Sequence, residues 1–403
     1  MTSENRARRN TADTEPETTD RPADPDHPDA QRESDDGLKF PFEHRPGPGE
    51  AREVAEGILW LRMPLPWSLD HINLYVLADD GGWTIVDSGV RSREIKGCWE
   101  TLFAGPLAER PVRRILITHH HPDHIGLAAW LADRVKAPIL ATRPAWLLAR
   151  TLSLDIAEEP PAEVLAFLRR AGLPETTIQA QRRAGWGNFA KLVERLPVGY
   201  RRITGGEILR MGSETWRIVE TGGHAPGHAC LFDEKRRILI SGDQVLPKIS
   251  SNVSVYPTEP TGNPLGEWLE GLARMRALPA DTLVLPAHNT PFTGLHARLE
   301  ALIGKHVGRM GDLAELCAEP KAAPEVFPAL FLRAISREGY TLAVGEALAH
   351  LHFLEAEGVL ERVAGEDGVD RFAKVSDYHE ASLRSRLERI TDTAREHGPW
   401  TPA

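Results

Sequence analysis

The sequence predicts an α/β protein in which β-sheets pack face to face with helices outside them. Three observations predict it. Short β-prone runs separated by turn signals fill the first part of the chain, helix-like apolar spacing interrupts them, and strands resume beyond position 207 before a long amphipathic helix. With 403 residues the chain can hold two or three units of roughly 150 residues each.

Residues 1–45 are rich in Asp, Glu, Pro, Thr and Arg and poor in large apolar side chains, so they are read as a disordered acidic tail. Ile58 to Leu61, His71 to Leu77, Trp83 to Val86 and Val112 to Thr118 read as strands, the second and third joined by the turn Asp79-Asp80-Gly81-Gly82. Ile125 to Val135 reads as one helix and Pro138 to Ala141 as a strand. A helical insertion over about 144–200 follows, with helices expected at Pro144–Leu152, Pro161–Arg170 and Pro174–Leu196, each with proline near its start. Strands are expected at Glu207–Met211, Thr215–Thr221, Ala229–Phe232, Arg237–Ile240 and Thr282–Leu285, with a helix at Pro264–Leu278. Leu295, Leu299, Leu302, Val307, Met310, Leu313 and Leu316 share the spacing of one long helix. Helices over Glu325–Ile335 and Thr341–Glu357 precede a hairpin around Gly365-Glu366-Asp367-Gly368, a pattern that reads as a winged helix over 319–378. A helical tail, 379–403, ends the chain.

Composition narrows the function classes. A formal charge of −10 disfavours non-specific attraction to nucleic acid or to an anionic membrane. Three scattered cysteines, Cys98, Cys230 and Cys317, form no disulfide framework and fit a reducing compartment. No stretch of roughly 18 apolar residues suggests a membrane span, and the cytoplasm is the expected location.

The chemistry is concentrated in Thr118-His119-His120-His121-Pro122-Asp123-His124, at a strand-to-helix junction. Neutral imidazole and carboxylate are donors for borderline or hard divalent cations. In an extended segment residues two apart share a side, so His119 and His121 could grip one ion. Asp123 and His124, past Pro122, could turn toward a second. Three further loops follow apolar β runs: Gly222-Gly223-His224, Gly242-Asp243 and Ala287-His288. Loops at the ends of such strands can converge on one edge.

Together with Asp87 in Thr84-Ile85-Val86-Asp87-Ser88-Gly89, this ordered set resembles the metallo-β-lactamase superfamily over roughly residues 50–300. The resemblance implies an αββα sandwich as the catalytic domain, 46–318. It implies that His119, His121 and His224 bind one metal, that Asp123, His124 and His288 bind a second, and that Asp243 bridges them. It also makes Asp87 a residue that orients ligands. His at 124 and Asp at 243 are similar to hydroxyacylglutathione hydrolases and related esterases, lactonases and nucleases, whereas common zinc β-lactamases have Arg and Cys there. The region 320–376 resembles the winged-helix domain of the β-lactamase-like protein 2 group, whose mammalian members are endoribonucleases.

The expected cofactors are two divalent ions, with zinc foremost and iron or manganese compatible with the same donors. The expected reaction is cleavage of an ester-like bond, a thioester or lactone of a small-molecule substrate, by a metal-bound hydroxide, with Asp123 and Asp243 assisting proton transfer. A phosphodiesterase or endoribonuclease is the second reading, although acidic residues outnumber basic ones in the C-terminal unit. A non-catalytic winged-helix interaction protein is the third. His228 is expected to hydrogen bond in the site wall, and His120 to point away from the metals. His71 is a candidate for the mouth or the surface, and Lys248, Ser250, Ser251 and Asn252 for the substrate rim. Trp67, Trp146 and Trp186 could line an acyl pocket or pack as core, and Cys230 is expected to be a buried apolar residue.

Overall fold

The computed structural model describes residues 37–331, 335–336 and 339–400. Seven strands form the first sheet in sequence order: β1 (Ala51–Ala55), β2 (Ile58–Pro64), β3 (His71–Asp79), β4 (Gly82–Val86), β5 (Val112–Leu116), β6 (Ile139–Ala141) and β7 (Arg201–Arg202). The first four are antiparallel neighbours, and β4 through β7 are parallel. The second sheet holds β8 (Ile208–Met211), β9 (Glu214–Thr221), β10 (His228–Asp233), β11 (Ile238–Gly242) and β12 (Leu283–Pro286). Its pairs are antiparallel except β11 with β12.

Side-chain alternation assembles the layers. On β3, Tyr75 and Leu77 face a core shared with Ile218, Leu231 and Ile240 of the second sheet, while Ile72, Leu74 and Val76 face the opposite side. That opposite side is covered by α1 (Arg93–Ala104), the short α2 (Pro122–Ile125), α3 (Ala128–Val135) and α4 (Arg143–Leu154). The chain then forms α5 (Ala162–Arg170), α6 (Glu175–Ala184) and α7 (Asn188–Leu192) before β7. The outer face of the second sheet, through Cys230, Phe232 and Leu239, packs on α8 (Pro264–Met275) and α9 (Leu295–Leu316). Helices therefore flank two stacked sheets. This is the mixed α/β sandwich expected.

Beyond α9 come a short 3-10 turn (Ala323–Val326), α10 (Phe327–Leu330), α11 (Tyr340–Ala356), the hairpin β13 (Leu360–Ala364) and β14 (Asp370–Lys374), and α12 (Glu380–His397). Leu348, Leu351 and Leu354 of α11 join the same apolar core as α8 and α9. The terminal helix also folds back on the protein: Thr391 Oγ1 donates to the Ala273 carbonyl at 2.9 Å, and Glu220 N–H donates to the Trp400 carbonyl at 2.8 Å. Among the described residues no helix is long and apolar enough to cross a membrane.

Several element boundaries differ from expectation. The expected helix Pro174–Leu196 is broken, because Gly185 and Gly187 take φ of 79° and 111° and the Trp186 backbone pairs with Ala157. The expected helix Ile125–Val135 is interrupted at Gly126 and Leu127, giving α2 and α3. Helix α1 carries no strong start signal beyond Ser92, whose Oγ accepts the Ile95 N–H at 3.0 Å. Of the expected helix Glu325–Ile335, residues 332–334 lie outside the described residues, and the segment before them is split between a 3-10 and an α turn. Residues 1–36 of the acidic tail also lie outside them. The described end of that tail joins the fold: Leu38 is buried and Lys39 pairs with Thr293.

Candidate metal centre

Strand direction brings the polar loops together. Asp87 follows β4, the histidine run follows β5, and His224, Asp243 and His288 follow β9, β11 and β12. Strands β4 and β5 are parallel, as are β11 and β12, and β9 and β11 both oppose β10. Their C-terminal ends therefore open on the same edge. The seven residues expected as ligands form two adjoining donor groups: His119, His121, His224 and Asp243 in one, and Asp123, His124 and His288 in the other.

In the first group three ring nitrogens converge. His119 Nε2 lies 2.9 Å from His121 Nδ1 and 3.2 Å from His224 Nε2, and the last two are 3.0 Å apart. Other partners decide which nitrogens carry protons. His224 Nδ1–H donates to the Asn252 carbonyl at 2.7 Å, and His119 Nδ1–H donates to Thr118 Oγ1 at 3.1 Å. The facing nitrogens of His119 and His224 are thus both lone pairs. Burial, reinforced by neighbouring histidines, holds His119 and His121 well below the usual imidazole pKa. Lone pairs about 3 Å apart repel unless a cation lies among them, and this spacing suits a tetrahedral ion with bonds of about 2.0–2.1 Å.

The second group is organised by carboxylates. Asp243 Oδ2 is 3.4 Å from His224 Nε2, while its Oδ1 is 3.5 Å from both His124 Nε2 and His288 Nε2. One carboxylate thus faces both groups. Asp123 Oδ2 lies 3.4 Å from His288 Nε2 and 3.7 Å from His124 Nε2. His124 Nε2 and Asp243 Oδ1 are buried with no hydrogen-bond partner. Leaving such atoms unsatisfied costs about 1–3 kcal/mol each, more where charge is involved. A divalent cation would satisfy both, so the donor set fits metal.

Behind the ligands, Asp87 ties the two groups together. Its Oδ1 accepts the Thr118 N–H, and its Oδ2 accepts both Thr118 Oγ1–H and His124 Nδ1–H, all at 2.8 Å. It holds φ at 64°, a strained backbone for a non-glycine residue. Asp87→Asn should therefore weaken metal affinity by about 10–100-fold, measured by competition with a chelating dye. His228 Nε2 accepts the Asp243 N–H at 3.1 Å, and its ring stacks on His119 at 4.7 Å, which places it in the site wall.

Electrostatics of the metal-free protein yield a second prediction. Burial opposes the charged form of His288, but Asp243 and Asp123 outweigh it and push its pKa up to about 10. His124 is likewise raised against burial by Asp123, Asp243 and Asp87. Both rings then carry an extra proton at neutral pH that a metal must displace. Adding Zn2+ to metal-free protein in weak buffer should release one proton from each, seen with an indicator dye. Silence of the dye on stoichiometric binding would reject this protonation state. The stabilisation from the His288 proton is complete below its unfolded pKa of about 6.5 and is lost as pH rises through about 10.

Other expected residues fall in different places. His120 is absent from both donor groups, and its ring lies parallel to Phe189 at 6.5 Å. Burial pushes its pKa down to about 3, so it is neutral at pH 7. His71 is buried: its Nδ1–H donates to Asp70 at 2.6 Å, its Nε2 accepts the Asn289 N–H, and its carbonyl accepts His288 Nδ1–H at 2.8 Å. Ser251 and Asn252 also stand behind ligands, on the Asp243 carbonyl and on His224, rather than at the rim. Lys248 lies over the Phe40 ring. Cys230 is fully buried and burial raises its thiol pKa.

Outside the metal groups, a cavity of about 240 Å³ begins at His121 and His224 and is walled by Leu148, Leu152, Trp186, Phe189 and Tyr256. Trp146 is core, stacked on Tyr200 at 4.8 Å, and Trp67 is exposed, so only Trp186 of the three tryptophans considered lines this cavity. Phe189 and Tyr256 carried no sequence signal, because their relevance depends on where α7 meets the irregular segment after β11.

Comparison with known proteins agrees with this geometry. Residues 67–288 match the family model described as metallo-beta-lactamase superfamily. The chain belongs to the metallo-β-lactamase superfamily. Residues 310–375 match a second model, the metallo-beta-lactamase-like C-terminal domain. The chain is similar to the solved structure of a beta-lactamase domain protein from Burkholderia ambifaria, with 40 % identity, a TM-score of 0.78, and coverage of 84 % of this chain and 98 % of that one. It is 27 % identical over 310 residues to YqjP of Bacillus subtilis, named as a metallo-hydrolase, covering 75 % of this chain and 94 % of the relative. An atrochrysone carboxyl ACP thioesterase of Aspergillus fumigatus is 28 % identical over 257 residues, 63 % of this chain and 46 % of the relative. The protein is accordingly a superfamily hydrolase whose His and Asp clusters could hold divalent metal.

Proposed function

We propose that this superfamily member is a dinuclear metal-dependent hydrolase that cleaves a thioester or lactone with an apolar acyl part. The observation that carries the reading is the junction of Asp243, facing both donor groups, with the apolar cavity that opens beside His121 and His224. His119, His121 and His224 would hold one ion and Asp123, His124 and His288 the other, with Asp243 between them. When bound, such ions supply water ionised near neutral pH and Lewis acidity toward a developing oxyanion, zinc being the best match and iron or manganese compatible.

The chain's own residues do the rest. Asp123 and Asp243 are the carboxylates that border the reacting space, and they are assigned the transfer of a proton from water toward the leaving group. Leu148, Trp186, Phe189 and Tyr256 line the acyl side with largely apolar surface. His120 lies at the same wall in neutral form and can accept or donate a hydrogen bond without adding charge. The His at 124 and Asp at 243 support a site of the hydroxyacylglutathione hydrolase type, and the distant similarity to a named thioesterase supports the bond class.

Charge weighs against a nuclease. Among the described residues the formally charged side chains lining the cavity are Glu259 and Glu267, which would repel a phosphodiester. In the C-terminal unit, α11 followed by the β13–β14 hairpin supports the winged-helix reading, yet its acidic excess does not suit nucleic acid. A cytoplasmic setting accords with three buried, unpaired cysteines. Purified, metal-loaded protein should turn over members of a thioester and lactone panel. No turnover by protein with full metal content would overturn the reading, and RNA binding that falls steeply with salt would favour the nuclease.

A further inference from the structure

The cavity beside the metal centre has a continuation. A second cavity of about 220 Å³ adjoins it, and Trp186, Ser254, Val255, Tyr256 and Pro257 line both. Its far walls come from Phe167, Leu168 and Leu173 around α5 and from Leu342, Val344 and Gly345 of α11. Among the described residues no formally charged side chain lines it. Its polar groups are engaged with each other or nearby: Gln181 Nε2–H donates to Thr341 Oγ1 at 3.1 Å, and Ser254 Oγ–H donates to Asn252 Oδ1 at 2.5 Å. These walls offer little polar chemistry to an occupant. Together the two spaces reach the range of about 300–1,000 Å³ that holds small-molecule ligands.

Helix α11 is also joined directly to the loop behind the metal site. Val255 N–H donates to the Gly345 carbonyl at 3.0 Å, and Asn252, three residues earlier, fixes His224 through its carbonyl. A Cβ at Gly345 would stand 3.0 Å from Ser254 Cβ, so the contact is already close.

We infer that the substrate's acyl part is a long unbranched chain running from the metal centre past Trp186 and Tyr256 into this second cavity, with α11 of the C-terminal unit gauging its length. The inference rests on the hydrolase reading given above. Hydrolysis of such a thioester breaks the C–S bond, forms a C–O bond from water, and passes the water's proton to the departing thiolate. The fatty acid is left in the cavity, and no other reactant is needed.

The test uses the full-length, metal-loaded protein and acetyl, octanoyl and dodecanoyl thioesters of N-acetylcysteamine. The kcat/KM should rise at least about tenfold from acetyl to dodecanoyl, since a few buried methylenes suffice for that gain. Leu342→Trp, which fills the second cavity from α11, should lower the dodecanoyl-to-acetyl ratio of kcat/KM by about the same factor, and Thr341→Trp provides an independent filling from the adjacent position. Metal content and Tm verify that each variant is folded. A ratio that is flat with chain length, or unchanged in both folded variants, overturns the inference while leaving the hydrolase reading intact. Absence of turnover on the thioesters and on the lactone panel alike overturns the hydrolase reading, and calorimetry with free fatty acids then decides the cavity assignment. Dodecanoate should bind at least about tenfold tighter than acetate and lose that advantage in Leu342→Trp; equal affinity for the two acids rejects it.

Discussion

Asp243→Asn is expected to lower kcat/KM by about 10³-fold or more and to reduce the metal retained through gel filtration. The reason lies in what one carboxylate does in this site. Its Oδ2 faces His224 and its Oδ1 faces His124 and His288, so it presents an anionic oxygen to each donor group. An amide of the same size keeps one neutral oxygen donor and turns an N–H toward the other group. Two closely spaced dications would then lose the charge that offsets their repulsion. The backbone need not move: Asp243 N–H still donates to His228, and its carbonyl still accepts Ser251 Oγ–H. Structural collapse and loss of metal are therefore separable by circular dichroism and elemental analysis on the same sample. A folded variant with unchanged metal content and turnover would remove Asp243 from the centre.

The same residue shows what the sequence made legible. Each candidate ligand sits just past an apolar β run, and side-chain identity carries the metal chemistry, so all seven could be named before the fold was known. The groups that aim those ligands could not. His224 is held by the backbone carbonyl of Asn252, and His288 by the carbonyl of His71, 217 residues away in the chain. A backbone acceptor leaves no compositional mark. Thr118 was visible only as the residue before the histidines, although its hydroxyl links His119 to Asp87. The sandwich was legible because short β-prone runs, such as those of β3 and β9–β11, are separated by turn signals and interrupted by helix-like apolar spacing. The apolar cavity beside the metal centre was not, because its wall depends on Trp186, held where Gly185 and Gly187 interrupt a stretch with continuous helical spacing. Proline starts and apolar periodicity suggested one helix there; two positive-φ glycines, Gly185 at the midpoint of that expected helix and Gly187 just past it, break it.

Gly223→Ala should be the most damaging small substitution near the centre, destabilising the protein by about 3 kcal/mol or more and shifting His224 with it. Gly223 holds φ at 87°, where a Cβ costs about 1–2 kcal/mol on backbone sterics alone. The added atom would stand 2.3 Å from Trp268 Cβ, 2.4 Å from the Pro264 carbonyl oxygen and 2.5 Å from the Trp268 nitrogen. These belong to the first turns of α8, and Trp268 is fully buried, so no flexible side-chain end can swing aside. Overpacking of this kind adds about 1–3 kcal/mol. Asn263 caps the helix by accepting the Gly266 N–H at 3.1 Å, and Gly223 N–H donates to Glu267 at 3.2 Å, so loop and helix resist separation. The strain will be relieved toward the neighbouring ligand, His224, where displacement of about 1 Å can cost 10²-fold in rate. Gly222→Ala supplies the contrast: its Cβ would meet Glu267 Oε2 at 2.6 Å, a side-chain end that can move at the cost of one long hydrogen bond from Gly223 N–H, and its backbone is not in the left-handed region. Thermal unfolding of metal-free and metal-loaded forms should place Gly222→Ala close to the parent protein and Gly223→Ala well below it in both. Equal midpoints for the two variants would show that the loop is not wedged against α8 and that His224 is positioned by its Asn252 hydrogen bond alone.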